Sequence, residues 1–272
     1  TMAAEIANAS VLWPARWMPM LWAEISLSRM AMKARPVALR GKAAVAAWTL
    51  CAVPVAFGFV LPVLWLLRML WVEAMASDIG LPLQRFVEWS LSSLRLAALA
   101  ALAATLLALA LSVAQRRHGN ARLLPLLTRV VSLGYAVPGA VIAVGILLPL
   151  GWVQQQWPQL GLIVWVTGTI VGLMYAYLVR FSAVALQSVE AGLARVPRSI
   201  DDTARLLGAT PRRVFVQLHL PLLRRSALAA ALLVFVDVMK ELPATLVLRP
   251  FGSDTLAVVA YNLARDERLG EA

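Results

Sequence analysis

The sequence predicts an all-α fold, a polytopic helical membrane protein with about five complete transmembrane helices, and three observations carry that expectation. Of its 272 residues, 61% are hydrophobic and only 14% charged, against about 45–50% apolar and about 25% charged in soluble domains. The apolar residues gather into runs near the roughly 20 residues that a bilayer-crossing helix needs. The formal charge of +11 concentrates in alternate loops, which is a positive-inside pattern and not the stripe a nucleic-acid surface would need. The ten tryptophans agree: Trp48, Trp65, Trp71, Trp152 and Trp157 fall near the ends of apolar runs, where an aromatic belt belongs.

Taken in order, residues 1–42 read as a basic linker. The apolar patch at 11–27 is interrupted by Pro14, Arg16 and Pro19, and it lacks the basic leader of a signal peptide. Trp13, Trp17, Leu21 and Ile25 suit an interfacial helix or the tail of an earlier span, followed by Arg29, Lys33, Arg35, Arg40 and Lys42. The spans are then predicted at about 43–71, 94–114, 123–150, 160–179 and 224–247. Pro54 and Pro62 lie in the first, and Tyr135, Pro138, Gly139 and Gly145 break the regularity of the third. In the fourth, Gly168 and Gly172 form a GxxxG that lets another helix approach closely.

Orientation follows from the loops. Residues 115–129 carry Arg116, Arg117, Arg122 and Arg129 without an acid, and 180–225 carries eight arginines beginning at Arg180. The 151–159 loop is uncharged, and 72–93 mixes Glu73, Asp78 and Glu88 with Arg85. The N-terminal linker and 180–225 are therefore predicted on the cytoplasmic side, with 249–272 outside.

The most informative stretch is 197–221, PRSIDDTARLLGATPRRVFVQLHLP. Ser199 and Asp202 have the spacing of a capping box, and Asp201 and Asp202 suit the positive end of a helix dipole. Gly208 can end that helix in the left-handed conformation, and Thr210-Pro211 can start another as N-cap and first residue. Val214, Phe215 and Leu218 then share an apolar face rimmed by arginines, and Pro221 is expected to break the chain before the next span. Two short helices bent at a glycine make a docking surface. Asp202-Thr203-Ala204, Gly208 and Leu218-His219-Leu220-Pro221 resemble the cytoplasmic signature loop of ABC importer permeases, Glu-Ala-Ala, three residues, Gly, nine residues, Ile-x-Leu-Pro. By that resemblance Asp202, Ala204, Gly208, Phe215, Leu218, Leu220 and Pro221 form the ATPase-coupling loop.

The fifth span carries charges. Asp237 and Lys240 are three residues apart and can pair, which leaves Glu241 needing its own donor, and Pro243 should break the helix there. Charges at membrane depth are costly, so Asp237, Lys240, Glu241 and Pro243 are candidates for a translocation pathway, weighed against a network that only sets packing. The run from Lys240 to Pro250, KELPATLVLRP, resembles the ferric-iron type of ABC permease, as does Leu133-Gly134-Tyr135-Ala136-Val137-Pro138-Gly139. Permeases of this kind normally return to the cytoplasm through one more helix. The resemblance therefore divides the chain into 1–42, a linker or remnant of a preceding half, and 43–272, a permease domain truncated before a last helix.

The single Cys51 gives no disulfide framework, and His118 and His219 lie in basic loops without metal-ligand spacing, so they are expected to be solvated. No GxxxxGK[ST] loop occurs; Gly41-Lys42 lacks both the upstream glycine and the following Ser or Thr. The resemblance thus implies a non-catalytic channel subunit in the bacterial inner (plasma) membrane, with no cofactor and no metal site. Its implied partners are an ABC ATPase dimer on the cytoplasmic face, an external solute-binding protein, a second permease half and membrane lipid, and no nucleic acid. The solute it implies is ferric iron; thiamine, phosphonate, sulfate and polyamine permeases are the alternatives within the class. An ion-coupled secondary transporter using Asp237, Lys240 and Glu241, or a membrane scaffold, is the alternative outside it.

Overall fold

The computed structural model describes residues 39–76, 83–117, 123–268 and 270. Every regular element among them is helical, and no strand occurs among the described residues. The interfacial helix expected within 1–38 and His118 lie outside the described residues. By its contacts the chain forms two units, one ending at Trp65 and the other starting at Leu66.

The first unit contains helix α1 (Lys42–Val55), a π turn at Ala56–Val60 and the start of α2 (Leu61–Ala76). Pro62 accounts for the π turn. A proline has no N–H to give, and its ring crowds the carbonyl four residues back. Opening the preceding turn to a Leu61 N–H to Ala56 carbonyl bond moves the crowded carbonyl away and keeps the helix continuous.

The second unit is built on three packed helices, α3 (Leu83–Arg117), α7 (Ile170–Leu193) and α10 (Leu220–Met239). Ala97, Ala100, Ala101, Ala104 and Ala108 recur on one face of α3 at helical spacing and are all buried. Small residues let backbones come close, which is the main packing device where lipid removes the hydrophobic drive between helices. Leu173, Ala176, Tyr177, Phe181 and Ala185 on α7 and Ala230, Val234 and Val238 on α10 complete this core. Gly192 marks the tightest α7–α10 crossing: a Cβ there would overlap the Ser226 side chain.

Around this core the remaining helices are broken, and several predicted boundaries need correction. The third span is two helices, α4 (Leu123–Leu133) and α5 (Gly139–Gln156), with a 3-10 turn at Gly134–Ala136 between them. The break falls at Gly134 through Pro138, whereas Gly145 continues the helix with open space beside it. Gly134 is required there because a side chain would run into the Val179 carbonyl. The fourth span is α6 (Leu162–Gly168) followed by α7, interrupted at Thr169, whose hydroxyl accepts from the Val171 N–H. Gly172 comes close to Val166 across that interruption, within the predicted span, while Gly168 faces open space, so the pair does not form the helix–helix approach expected of a GxxxG. Helix α7 also runs 14 residues past the predicted end at 179, so Arg180 lies mid-helix and not in a loop.

Helix α10 begins earlier than predicted, and Pro221 does not break the chain. A π turn at Phe215–His219, closed by the Leu220 N–H on the Phe215 carbonyl, carries helix α9 (Pro211–Val214) straight into α10. This is the device already seen before Pro62. Helix α10 ends at Met239, and Pro243 heads a short helix α11 (Pro243–Leu248), so the break expected near Pro243 is present. Beyond it, where the sequence reading placed no element, α12 (Leu256–Arg265) packs on α3: the Leu256 N–H donates to Ser93 Oγ at 2.8 Å and Val258 is fully buried.

Four helical stretches, Lys42–Met75, Leu83–Arg117, Gly139–Gln156 and Ile170–Leu193, are long and apolar enough to cross a membrane. Helix α10 has 20 residues but carries Arg224, Arg225 and Asp237.

The Gly192 crossing is testable. Gly192→Ala should destabilise the chain by about 1–3 kcal/mol through overpacking. Ser226→Gly in the same chain should recover part of the loss, since it removes the atoms met, and thermal unfolding of the two variants in detergent measures both effects.

Candidate coupling site and buried ion pairs

The 197–221 segment folds as two short helices, α8 (Arg198–Leu206) and α9. Gly208 has φ of +78°, and the Ala209 N–H reaches the Ala204 carbonyl while the Gly208 N–H reaches that of Arg205. This double closure is the Schellman ending that glycine makes available. Thr210 caps α9, its hydroxyl accepting from the Arg213 N–H at 3.4 Å, with Pro211 in the first helical position. Both expectations hold. The capping box does not form: the residue before α8 is Pro197, and the Ser199 carbonyl instead accepts from the Thr203 hydroxyl at 2.8 Å.

The three residues expected to share an apolar face are not equally exposed. Val214 turns inward and is buried, Phe215 and Leu218 are half-buried, and the most exposed apolar residues of the segment are Leu206 and Leu207 at the end of α8, 88% and 82% accessible. Position 214 follows Pro211 directly onto the face toward α8, while Leu206 and Leu207 sit where the Schellman turn swings the chain outward. Asp202 is exposed and meets only Arg205, at 4.0 Å; Leu220 and Pro221 are also exposed, and Ala204 is half-buried.

Beneath α8 is a buried cluster that sequence reasoning missed. Asp201, 9% accessible at its side chain, receives Arg116 Nε on Oδ2 at 2.6 Å. Its Oδ1 lies 2.8 Å from His219 Nε2, and His219 is itself buried. An ionised carboxylate only accepts, so the His219 ring carries its proton on Nε2 and donates there. Arg116, the penultimate residue of α3, also donates to the carbonyls of Leu193 at 3.1 Å, Val196 at 2.8 Å and Pro197 at 2.9 Å. The expectation of a solvated His219 is thus overturned: the unbroken helix through Pro221 turns the ring inward to Asp201. Burial alone would push the Asp201 carboxyl up, but the bonds and charges of Arg116 and His219 outweigh it and hold its pKa below the ordinary value.

The second pair gives Glu241, which is buried, a counter-charge from the half-buried Arg180, without a direct hydrogen bond between them. Arg180 Nε, midway along α7, lies 3.4 Å from Glu241 Oε2, and Arg180 Nη1 donates to the Val137 carbonyl at 3.0 Å. Glu241 Oε1 also accepts from the Ala244 N–H at the start of α11. Gly139 gives the pair its room, since a Cβ there would overlap Glu241 Oε1 and crowd Arg180. Tyr177, one turn before Arg180, shares a 2.7 Å hydrogen bond with the Thr245 hydroxyl, which in turn donates to the Glu241 carbonyl. Asp237 and Lys240 form a separate pair at 2.9 Å, with Lys240 71% accessible. The three charges of this region therefore divide into two pairs, and Pro243 stands at the first position of the helix between them and Thr245.

Residues 107–258 match the family described as "Binding-protein-dependent transport system inner membrane component". The chain belongs to that family. It is a multi-pass component of the inner membrane. Both buried pairs fall inside the matched stretch. The chain is 31% identical over 173 residues to the putative 2-aminoethylphosphonate transport system permease protein PhnV of Salmonella typhimurium, covering 64% of this chain and 62% of that protein. It is 27% identical over 139 residues to the Fe(3+)-transport system permease protein FbpB 2 of Haemophilus influenzae, 51% of this chain and 26% of that one. Among solved structures it resembles a chain of a bacterial alginate ABC transporter, crystallised with an alginate pentasaccharide-bound periplasmic protein. There the TM-score is 0.62 at 14% identity, over 84% of this chain and 85% of the other, a likeness of fold. No group of three or more His, Cys, Asp or Glu residues that could hold a metal ion occurs among the described residues.

The lowered Asp201 pKa has a sign that can be checked. A depressed carboxyl contributes stability that is present above its unfolded value, about 3.9, and is lost as pH falls through the lower folded value. Asp201→Asn should cost about 3–5 kcal/mol by leaving Arg116 without its counter-charge. In thermal unfolding of the purified protein, that gap from wild type should not shrink between about pH 7 and 5 and should close below about pH 4.

Proposed function

We propose that this inner membrane component is the transmembrane permease subunit of an ATP-driven ABC importer, with the 197–221 helices docking the ATPase on the cytoplasmic face. The observation that carries this reading is the capped, glycine-bent helix pair that presents Leu206 and Leu207 to solvent. Arginines gather on that side of the chain: Arg195, Arg198, Arg212, Arg213, Arg224 and Arg225 flank it, as the positive-inside pattern requires of a cytoplasmic face. ATP hydrolysis belongs to the partner subunit, and a solute-binding protein delivers cargo to the opposite face. A second permease half, fused or separate, completes the pathway.

The KELPATLVLRP run and the Fe(3+)-transport relative support ferric iron as the solute. A phosphonate reading is supported by the 2-aminoethylphosphonate relative, whose match is the longer of the two. In either case the solute is a small hydrophilic ion, and Arg180–Glu241 is the charged pair placed to line or gate its path. Arg180 sits midway along an apolar helix and Glu241 in the break after α10, where charges are retained only at a cost of a few kcal/mol. It also bridges two helix breaks, at Val137-Pro138 and at Lys240–Leu242, where a hinge has room to act.

Three measurements test this. Leu206→Asp with Leu207→Asp should weaken co-purification of the ATPase by about tenfold or more while membrane insertion is unchanged; undiminished assembly would refute the docking face. Uptake of ferric iron and of 2-aminoethylphosphonate by the intact transporter then assigns the solute. At the buried pair, Glu241→Gln and Arg180→Gln should each impair uptake per assembled molecule more than the two together do, because a lone buried charge is worse than none. Normal uptake per molecule with reduced yield in all three variants would leave the pair a packing device.

A further inference from the structure

We infer that the buried Asp201 carboxylate, gripped by Arg116 and His219, is the positioning element through which movement of α8 reaches the three packed helices. The inference rests on the proposed docking role of α8 and adds residues that the signature-loop pattern does not contain. Among the nine residues of α8, Asp201 is the only one buried. On either side of the helix the packing is hollow. A groove of about 320 Å³ separates it from Leu218, lined by Ser199, Ile200, Thr203, Ala204 and Leu207. A second cavity of about 200 Å³ lies toward α9, lined by Arg117, Arg205, Pro211, Val214 and the Asp201–His219 pair itself. A displacement of α8 therefore has one stiff side-chain route inward.

That route reaches three helices, dividing at the carboxylate and again at the Arg116 guanidinium. Oδ2 leads through Arg116 to the end of α3. The same guanidinium holds the Leu193 and Val196 carbonyls, the last turn and exit of α7. Oδ1 leads through His219 to the π turn that opens α10. These are the three helices that form the core. Two short charge-assisted bonds hold the carboxylate at a defined place, which a single apolar contact would not do. Asp202, at the acidic position of the signature pattern, has only the long exposed contact to Arg205 and cannot take this part.

The test uses the complete transporter in proteoliposomes, with solute uptake and ATP hydrolysis measured on the same preparation. Asp201→Asn and His219→Leu should assemble and hydrolyse ATP, yet lower the uptake per ATP by about fivefold or more. His219→Gln, which keeps an N–H donor for the carboxylate, should restore most of that ratio. An unchanged ratio in the His219→Leu complex would overturn the inference, as would equal falls in uptake and hydrolysis that track the amount of assembled protein. If neither Asp201→Asn nor His219→Leu assembles, the carboxylate serves folding alone and the inference falls. Absence of ATP-driven uptake in the wild-type complex would instead remove the importer reading beneath it.

Discussion

A carboxylate taken out of water must be compensated on the spot, and the arrangement around Asp201 follows from that constraint. The effective desolvation cost is several kcal/mol for each buried ion, so a lone pair would do little better than an apolar contact. Here the cost is met by spreading bonds: Arg116 makes four contacts, one to the carboxylate and three to backbone carbonyls, and His219 donates to the second oxygen. Those carbonyls belong to the end of α7 and the link after it, positions that a helix leaves without internal partners. One guanidinium thus satisfies a helix terminus and anchors α8 together. The neighbouring Asp202–Arg205 contact, exposed and 4.0 Å long, belongs to a class worth about 0–1 kcal/mol. The two adjacent aspartates therefore differ by several-fold in what they can hold.

The same economy governs the core. Alanines on α3 and glycines at 134, 139 and 192 bring backbones close enough that each has a specific neighbour in the place of its missing side chain: the Val179 carbonyl, the Glu241 carboxylate and the Ser226 side chain. Close approach fixes α3, α7 and α10 against one another, since interiors packed at this density resist small displacements. The broken elements, α4 to α6 and α11, lie around that core, and their breaks come at glycine, proline or a capping threonine. The chain separates a tightly packed part from a segmented one, and the Arg180–Glu241 pair stands where the two meet.

Local signals were legible in the sequence, and long-range ones were not. Class, membrane location, the Gly208 ending, the Thr210-Pro211 start and the break near Pro243 each depend on residues within a turn or two of one another. The missing counter-charge for Glu241 was legible as a need, because Asp237 and Lys240 satisfy each other. Its identity was not, since Arg180 reads as the first arginine of a basic loop until α7 is seen to continue past 179. Arg116 and Asp201 are 85 residues apart, and nothing in a basic loop distinguishes an arginine aimed inward from one that is solvated. A histidine in a basic loop reads as solvated, and the π turn that lets the helix run on through Pro221 and carry the His219 ring inward leaves no compositional mark. Val214 turns inward for a related reason: helical spacing tells which residues share a face, but the Schellman turn decides which face is outward.

Helix α7 ties these features together physically. Arg180 lies at its middle and Leu193, whose carbonyl Arg116 holds, at its end, 13 residues on and so about 20 Å along the axis. The helix between them is uninterrupted and buried at Phe181, Ala185, Leu186 and Val189 against its two partners. A segment of that kind cannot bend between the two pairs without losing close-packed contacts, so a shift imposed at the Leu193 end arrives at Arg180 as a shift of similar size. What can give is the far side of Arg180, where its partners are the Val137 carbonyl and Glu241, both set in helix breaks. Rigid backbone thus lies on one side of Arg180 and interrupted backbone on the other.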